Sequence, residues 1–174
     1  MHNNLTWLKD LAKEFIFALI TALLITQFVF TLPLVPSGSM IPTIKIGERV
    51  LVDKLTTWFV PVQRGEIVIF PCPDAPHEDY IKRVIGLPGE TVLIREGNVY
   101  IDDVVLDEPY LVEDTRGTFG PYYVPEGHIF VMGDNRNTSA DSRYWRSTPY
   151  VDLKDVSGRG RAIIWPLGSI RSLH

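Results

Sequence analysis

A long apolar segment near the N-terminus constrains the fold of this chain more than any other feature. Nearly every residue in 15–35 is apolar, and no charged residue occurs in 15–44. As an α-helix, residues 15–32 would rise about 27 Å, close to the roughly 30 Å hydrocarbon core of a bilayer, before two prolines end the helix. The sequence therefore predicts one membrane-spanning helix.

Two other interpretations of this segment are less favoured. A cleaved secretory signal usually has an apolar core of about 7 to 15 residues, and a helix buried in a soluble protein would show a polar face. Gln27 is the one strongly polar residue of the segment, and no small-x-small cleavage site follows Leu32. We therefore expect an N-terminal segment at 1–14, a retained anchor at 15–35 and a folded domain at 36–174.

The charges beside the segment do not orient it in the membrane. Lys9 and Lys13 precede it and Lys45 and Arg49 follow it, so the positive-inside rule gives a tie. In either orientation the domain begins within a few residues of the bilayer. Any chemistry at residues 37–40 is therefore expected at the membrane surface.

Beyond residue 36 the sequence changes to short apolar runs broken by Gly, Pro, Asn and Asp. These runs are ERVLVDKL, GEIVIF, YIKRVIG, ETVLIREGNVYID, GHIFVMG and RAIIW. The pattern predicts an all-β domain, and Glu96-Gly97-Asn98 between two runs predicts a hairpin. The segment FGPYYVP, residues 119–125, is typical of a turn-rich connection. No flexible linker separates the domain from its anchor.

Composition and residue spacing exclude several kinds of chemistry. The formal net charge of −4, without a cluster of Lys and Arg, argues against a nucleic-acid partner. The one cysteine, Cys72, excludes an intramolecular disulfide and any multi-cysteine zinc site. The histidines are scattered, and neither a P-loop nor a Gly-x-Ser-x-Gly or Ser-x-x-Lys motif is present. We therefore expect no metal and no cofactor.

A serine turn and a lysine in an apolar strand remain as the candidates for catalysis. The turn is PSGSMIPT at 36–43, and the strand is DYIKRVIG at 79–86. Because side chains alternate along a strand, Lys82 and Arg83 face opposite sides, and one of these cations meets apolar surroundings. Burial would lower the pKa of a lysine from about 10.4 towards neutrality, leaving an amine that accepts a serine proton.

The alternative is that neither segment is catalytic. Lys82 would then extend to solvent or pair with Asp79, and the serine segment would be only a turn. Spacing alone does not decide between the two interpretations.

Three motifs in this order resemble the type I signal peptidases, which are membrane-anchored serine proteases that cleave signal peptides from exported preproteins. The motifs are PSGSMIPT, DYIKRVIGLPG and GDNRNTSADSRYW, joined by the apolar segment and a closing GRGRAIIWP. The resemblance covers nearly the whole chain. It implies a mainly β fold, in which an antiparallel β-sheet signal-peptidase-like catalytic domain follows one N-terminal transmembrane α-helix.

The resemblance also implies a role for each serine and for the lysine. Ser39 would be the nucleophile that forms an acyl-enzyme, and Lys82 would be its general base. Ser139 would hydrogen-bond to the lysine and orient it, which is the role of a third group in triad logic. The backbone amide of Ser39 and the hydroxyl of Ser37 would hold the tetrahedral oxyanion.

Two further sets of residues match positions of the family. The first set would brace the site through ion pairs and comprises Arg83, Asp134, Asp141 and Arg143. The second set would line pockets for small side chains at the −1 and −3 positions of an extended signal peptide, and comprises Pro36, Met40, Tyr80 and Ile81. A small pocket would account for a preference for Ala-x-Ala.

A location and a set of partners follow from the same resemblance. The protein would lie in the plasma membrane as a single-pass protein with its catalytic domain on the extracytoplasmic face. Its partners would be preprotein signal peptides and membrane lipid, with transient proximity to the protein export channel and no nucleic acid.

The sequence departs from the commonest family pattern in three places. Thr138 stands where many relatives carry asparagine, the segment 55–63 is short, and the chain has no room for an inserted second domain. A self-cleaving repressor-type protease would carry a DNA-binding helix-turn-helix in place of the anchor. A non-catalytic tethered β module would be expected to have lost Ser39 or Lys82. A relative specialised for one substrate stays open.

An aromatic cluster follows one of the predicted strands. Trp58, Phe59 and Val60 lie in a domain tethered to lipid, where Trp is favoured at the interface, so we expect them to dip into the membrane surface. Ordinary packing in the core is an equal alternative.

Overall fold

The computed structural model describes residues 6–173 and begins with one long helix, α1 (Thr6–Phe28). Its segment Trp7–Phe28 has a mean hydropathy of 1.7 and buries none of its length against the rest of the chain. A helix this apolar with every face exposed needs an apolar solvent, which a bilayer supplies. It is the only helix in residues 6–173 that is long and apolar enough to cross a membrane.

The helix and the apolar segment do not coincide. The helix extends over the charged residues before Phe15 and ends at Phe28, and strand β1 (Phe30–Thr31) follows it directly. Val35, the last residue of the predicted anchor, is 3% exposed and belongs to the core of the β domain. Residues 30–35 are therefore part of the folded domain, because strand pairing satisfies their backbone there.

The rest of the described chain is antiparallel β structure with short 3₁₀ turns. The remaining strands are β2 (Arg49–Asp53), β3 (Ile67–Cys72), β4 (Ala75–Gly86), β5 (Thr91–Arg95), β6 (Asn98–Ile101), β7 (Val104–Val105), β8 (Phe119–Tyr123), β9 (His128–Met132), β10 (Val151–Asp152), β11 (Gly158–Trp165) and β12 (Arg171–Ser172). Short 3₁₀ helices occur at Leu55–Trp58, Leu153–Asp155 and Leu167–Ser169. The predicted fold class, a mainly β antiparallel domain with one N-terminal helix, is confirmed.

The strands form two sheets. The larger has the order β1-β2-β11-β3-β4-β9-β10, with β12 also paired to β11, and the smaller has the order β7-β6-β5-β8. The predicted hairpin is present, with Arg95 opposite Asn98 and positive φ at both Glu96 and Gly97, as a two-residue turn of this kind requires. Residues 119–123, which we expected to be a connection, instead form β8 on the edge of the smaller sheet.

Strand β4 lies in the centre of the larger sheet and carries the predicted lysine. It pairs with β3 along residues 79–83 and with β9 from Arg83 onward. Residues 82–86 are buried on both faces because other parts of the domain cover both sides of the sheet. Both Lys82 and Arg83 are therefore buried, at 3% and 1% exposure, where alternation alone placed only one of them in apolar surroundings.

Candidate active site

The serine turn is held in place from both ends by buried apolar residues. Val35 precedes it, and Met40 and Ile44 are fully buried in the same hydrophobic cluster. The backbone turns twice between them, since Ile41 N–H donates to the Gly38 carbonyl (3.2 Å) and Ile44 N–H donates to the Met40 carbonyl (2.9 Å). These contacts leave Ser39 half-buried at the surface of the domain.

Asn135 fastens the turn to the loop that follows β9. Its backbone N–H donates to the Ser39 carbonyl at 3.0 Å, and its side-chain amide donates to the Gly38 carbonyl at 3.0 Å. Asn135 lies within the motif GDNRN, and its role was not anticipated from the sequence. An asparagine between a buried strand and a polar loop was the available signal, but nothing in the sequence indicated that its partner lay 97 positions away.

Lys82 meets Ser39 at hydrogen-bonding distance. Its Nζ lies 2.9 Å from Ser39 Oγ and 3.0 Å from the Ile81 carbonyl oxygen. Burial lowers the pKa of Lys82 to about 8, and the negative charge of Asp141 opposes that shift. About a tenth of the amine is therefore neutral at pH 7, and the neutral amine is the form that accepts a proton.

Ser139 is buried close to this pair but does not bond to the lysine in the structure. Its Oγ has no hydrogen-bond partner among residues 6–173, although its side chain is sequestered from solvent. The residue lies against Gly133, where a Cβ atom would overlap both Ser139 Oγ and the Ser39 carbonyl oxygen. Gly133 is thus required for the close approach of the two serines, a role that was not anticipated from the sequence.

Ser37 lies at the surface on the other side of the nucleophile candidate. Its hydroxyl oxygen is 3.5 Å from Ser39 Oγ, at the long limit of a hydrogen bond. Its side chain is exposed and lines the same cleft as Ser39. It is therefore placed to meet a bound ligand rather than to support the turn from inside.

One buried ion pair joins β4 to the loop that follows β9, and a second lies within that loop. Arg83 donates from Nε and Nη2 to the two oxygens of Asp134, at 2.9 and 2.7 Å. Arg143 donates in the same bidentate way to Asp141, at 2.8 Å for both bonds. Asp141 also accepts the N–H of Gly133 at 3.0 Å, so the second pair holds the loop behind Ser139.

Thr43 connects the serine turn to the first ion pair. Its hydroxyl donates to Asp134 Oδ2 at 2.5 Å, on the carboxylate that also pairs with Arg83. Since Arg83 follows Lys82 in β4, one carboxylate is bonded both to the serine turn and to the lysine strand. The role of Thr43 was not anticipated from the sequence.

Ser39 and Lys82 open into a cleft of about 590 Å³. Pro36, Tyr80 and Ile81 line it, whereas Met40 lies in the core beneath the turn. The other lining residues are Ser37, Gly38, Glu78, Asp79, Thr138 and Ala140. A smaller and more enclosed pocket of about 250 Å³ lies beside it and shares the residues Pro36, Asp79 and Ile81.

The edge of β4 along this cleft carries no strand in the part of the chain that the structure describes. β9 pairs with β4 only at Arg83, Val84 and Gly86, so no strand within residues 6–173 pairs with the same edge of residues 79–82, and the Ile81 carbonyl accepts from Lys82 Nζ. An extended peptide can pair with such an edge. Within residues 6–173, no group of three His, Cys, Asp or Glu side chains is arranged to hold a metal ion.

Comparison with known proteins places the chain in a family. It matches the family model described as "Signal peptidase, peptidase S26" over residues 8–165. It is 40% identical over 167 residues to the probable signal peptidase I-2 of Synechocystis sp., across 93% of this chain and 75% of that one. It is also 40% identical over 179 residues to a signal peptidase I of Bacillus licheniformis, across 97% and 95% of the two chains.

A solved structure agrees with the sequence comparisons. A signal peptidase I from Enterococcus faecalis V583 superposes with a TM-score of 0.51 at 38% identity, across 57% of this chain and 96% of that one. The chain therefore belongs to the signal peptidase family, peptidase S26, and is a serine endopeptidase of the signal peptidase I type.

Proposed function

We propose that this signal peptidase removes N-terminal signal peptides from exported preproteins by a Ser/Lys mechanism, with Ser39 as nucleophile and Lys82 as general base. The observation that carries the proposal is the 2.9 Å contact between Lys82 Nζ and Ser39 Oγ at a buried position that lowers the pKa of the lysine to about 8. A buried neutral amine beside a hydroxyl is the arrangement that activates a serine without a histidine.

The reaction begins with transfer of the Ser39 proton to the neutral amine of Lys82. Ser39 Oγ attacks the carbonyl carbon of the −1 residue, and the resulting oxyanion accepts hydrogen bonds from the Ser39 N–H and the Ser37 hydroxyl. Collapse breaks the peptide bond, and the leaving amine of the mature protein takes the proton from Lys82. Lys82 then deprotonates a water molecule, whose oxygen attacks the acyl carbon. As the ester bond breaks, Lys82 returns the proton to Ser39 Oγ, and the signal peptide leaves with a free carboxylate.

Ser139 is proposed to position Lys82. Its hydroxyl is buried beside Gly133 and has no hydrogen-bond partner in the described chain, so it is available to bond the amine when the two side chains approach each other during the reaction. The ion pairs Arg83–Asp134 and Asp141–Arg143 are proposed to be structural supports. Each is bidentate and buried; the first joins β4 to the loop that follows β9, and the second lies within that loop, where Asp141 also holds the N–H of Gly133.

The substrate is proposed to lie extended along the free edge of β4. Alternate side chains of an extended peptide point to the same face, so the −1 and −3 side chains enter the two adjoining pockets. Pro36 and Ile81 are shared by both pockets and limit their size, while Tyr80 lines the one next to Ser39. Pockets of this kind favour Ala-x-Ala sites. Met40 supports the turn from below and contributes through its packing.

The proposed setting is the plasma membrane, with α1 as a single span and the β domain on the extracytoplasmic face. Support comes from the exposed apolar surface of the helix and from family membership. Membrane lipid and preprotein signal peptides are then the partners, and the substrate arrives from the protein export channel nearby.

The test is cleavage of a preprotein with an Ala-x-Ala site by the full chain in detergent. Wild type should cut after the second Ala, and Ser39→Ala and Lys82→Ala should reduce the rate by about 10³-fold or more while staying folded. Lys154→Ala, at a lysine whose side chain is 89% exposed, is the matched control and should cut normally. Cleavage by a folded Lys82→Ala variant at the normal rate would overturn the proposed base.

A further inference from the structure

A long loop at residues 106–118 connects β7 to β8, and we call it the connecting loop. It lies against the loop 133–143, which carries Ser139. Two reciprocal bonds join the loops, since the Arg116 N–H donates to Asn137 Oδ1 at 2.9 Å and the Asn137 side-chain amide donates to the Asp114 carbonyl at 3.1 Å. The connecting loop is therefore bonded to one of the segments that form the candidate active site.

Glu108 and Arg136 form an ion pair between the same two loops. Arg136 is fully buried and donates to both oxygens of Glu108, at 2.8 and 2.5 Å. It also donates from Nε to the Gly133 carbonyl at 3.2 Å. Because Gly133 lies against Ser139 and the Ser39 carbonyl, the ion pair supports the place where the two serines approach each other.

Tyr110 of the connecting loop lies over the guanidinium group of Arg83. The Cζ atom of Arg83 is 3.9 Å from the centre of the ring, and the Cζ atom of Arg136 is 5.9 Å from it. The Tyr110 hydroxyl donates to Glu108 Oε1 at 2.7 Å. Burial, and then the negative charge of Glu108, raises the pKa of this hydroxyl, so it stays protonated and remains a donor. One ring therefore contacts an arginine of β4 and an arginine of the loop 133–143.

The contact between Tyr110 and Arg83 bears on the site through the other bonds of Arg83. The guanidinium pairs with both oxygens of Asp134, and Asp134 also accepts the hydroxyl of Thr43 in the serine turn. Arg83 directly follows Lys82 in β4. The bonds to Asp134 hold the guanidinium by its N–H groups, and the ring of Tyr110 adds a support that these bonds do not supply.

We propose that Tyr110 is a positioning residue for peptide cleavage, which steadies the Arg83–Asp134 pair and thereby the distance between Ser39 and Lys82. This inference rests on the proposed function, because it concerns the same serine and lysine. A displacement of about 1 Å between reacting groups costs about 10²-fold in rate, so a small loosening of the pair is measurable. Tyr110 does not line the cleft, so its effect belongs in kcat and not in KM.

A cavity beside Tyr110 gives the physical reason why the ring is needed. The cavity has a volume of about 420 Å³ and is bordered by both Tyr110 and Arg83, yet Arg83 is only 1% exposed. Loss of the ring would extend the cavity over the guanidinium. Water entering there would compete for the N–H groups of Arg83 and weaken its charge-assisted bonds to Asp134.

Substitutions at position 110 separate the ring from the hydroxyl. Tyr110→Leu keeps apolar bulk without an aromatic face, and Tyr110→Phe keeps the face without the hydroxyl. With the full chain in detergent and an Ala-x-Ala peptide, the Leu variant should lose about tenfold in kcat at unchanged KM, and the Phe variant should stay within about threefold of wild type. Tyr110→Met, a second variant without a ring, is assayed beside the Leu variant, and thermal unfolding is recorded for each. Wild-type kcat in a folded Leu or Met variant, or a loss confined to KM, would overturn the proposal.

Tyr100→Leu is the matched control for the loss of a ring. Tyr100 lies in β6, its ring is 4.8 Å from Cζ of the exposed Arg95, and both tyrosines are half-buried. This substitution removes the same kind of contact without touching Arg83, so kcat should stay at the wild-type value. An equal fall in kcat in this control would assign the effect to lost stability and contradict a positioning role.

Chemical modification of Arg83 provides a readout that does not depend on peptidase activity. Phenylglyoxal reacts with accessible guanidinium groups, and peptide mass spectrometry locates the modified arginines. Arg83 should react several-fold faster in Tyr110→Leu than in wild type, Tyr110→Phe or Tyr100→Leu. An Arg83 that stays equally protected in the Leu variant would contradict the role of the ring.

The two proposals fail in different ways. A wild-type chain that cleaves no Ala-x-Ala substrate defeats the proposed function, whatever the reactivity of Arg83. A Tyr110→Leu variant as active as wild type, beside an inactive Ser39→Ala variant, defeats the positioning role alone.

Discussion

At the scale of a single residue, Lys82 is buried at a position that disfavours its charged form. A lysine that is 3% exposed gives up solvation, and the structure offers it no carboxylate within ion-pair distance among the described residues. The lowered pKa expresses the free-energy penalty of the charged form of Lys82 in the folded state.

The first prediction concerns the pH dependence of the rate. Since only the neutral amine accepts the Ser39 proton, kcat/KM should rise with pH through an ionisation near the Lys82 pKa of about 8 and then level off. The measurement is peptide cleavage from pH 6 to 10, with circular dichroism at each pH to verify folding. A flat profile over this range would contradict the assignment of Lys82 as base.

The second prediction concerns stability. The pKa of Lys82 is about 8 folded and 10.5 unfolded, so below pH 8 the folded state bears the full penalty of the charge. Between these values the unfolded state binds more protons at this residue, so the contribution of Lys82 to stability rises with pH. Lys82→Met should therefore be inactive yet more stable by about 3 kcal/mol at pH 7, with less advantage above pH 10. Denaturant unfolding of both proteins at the two pH values measures the difference.

At the scale of elements, the site depends on three segments that the chain keeps far apart: the turn 36–43, strand β4 and the loop 133–143. Asp134 joins the first two through Thr43 and Arg83, while Asn135 joins the turn to the loop. Each of these bonds has its partners in different segments. The distance between Ser39 and Lys82 is therefore a property of this network rather than of either segment.

Thr43 offers a test of the network. Thr43→Val keeps the shape of the side chain but removes its hydrogen bond to Asp134, so the turn should shift relative to β4. We expect about a tenfold loss in kcat with little change in KM, and a loss of about 1 kcal/mol in unfolding free energy. Thr43→Ser, which keeps the hydroxyl, should restore most of the rate. Equal activity of the Val and Ser variants would exclude a positioning role.

At the scale of the whole molecule, helix α1 and the β domain do not stabilise each other by packing. Helix α1 buries none of its length against the domain, and its recorded bonds to the domain side are the contacts of Lys54 near its C-terminal end. The domain instead buries its own apolar residues in three clusters, one of them between the two sheets, and keeps β1 as an edge strand. The boundary between the two parts is therefore expected to be sharp.

Paired truncations test where that boundary lies. Removing residues 1–28 should leave the melting temperature of the β domain nearly unchanged, because no buried contact is lost. Removing residues 1–35 also deletes β1 and the buried Val35, and should lower stability by about 2 kcal/mol or more. Thermal unfolding of the two shortened chains makes the comparison. Equal melting temperatures would place the boundary at residue 35 instead.

The sequence by itself determined the features that depend on local pattern. An uncharged run of 30 residues predicts a membrane helix wherever it occurs, and alternating β-branched runs with Gly and Asn turns predict hairpins such as the one at Glu96–Asn98. The family was reached through the resemblance of three motifs, around Ser39, Lys82 and Ser139, to those of its members.

Only the tertiary structure decided features that depend on contacts between distant segments. Because β1 pairs with β2, residues 30–35 belong to the β domain and not to the anchor. Because residues 119–123 pair with β5, they form a strand and not a connection. The burial of both Lys82 and Arg83 came from neighbours on both faces of the sheet, which alternation along one strand does not encode. The structure alone shows the roles of Gly133, Asn135 and Thr43, because each role depends on a partner far away in the sequence. A contact of this kind produces no periodic pattern from which it could be predicted.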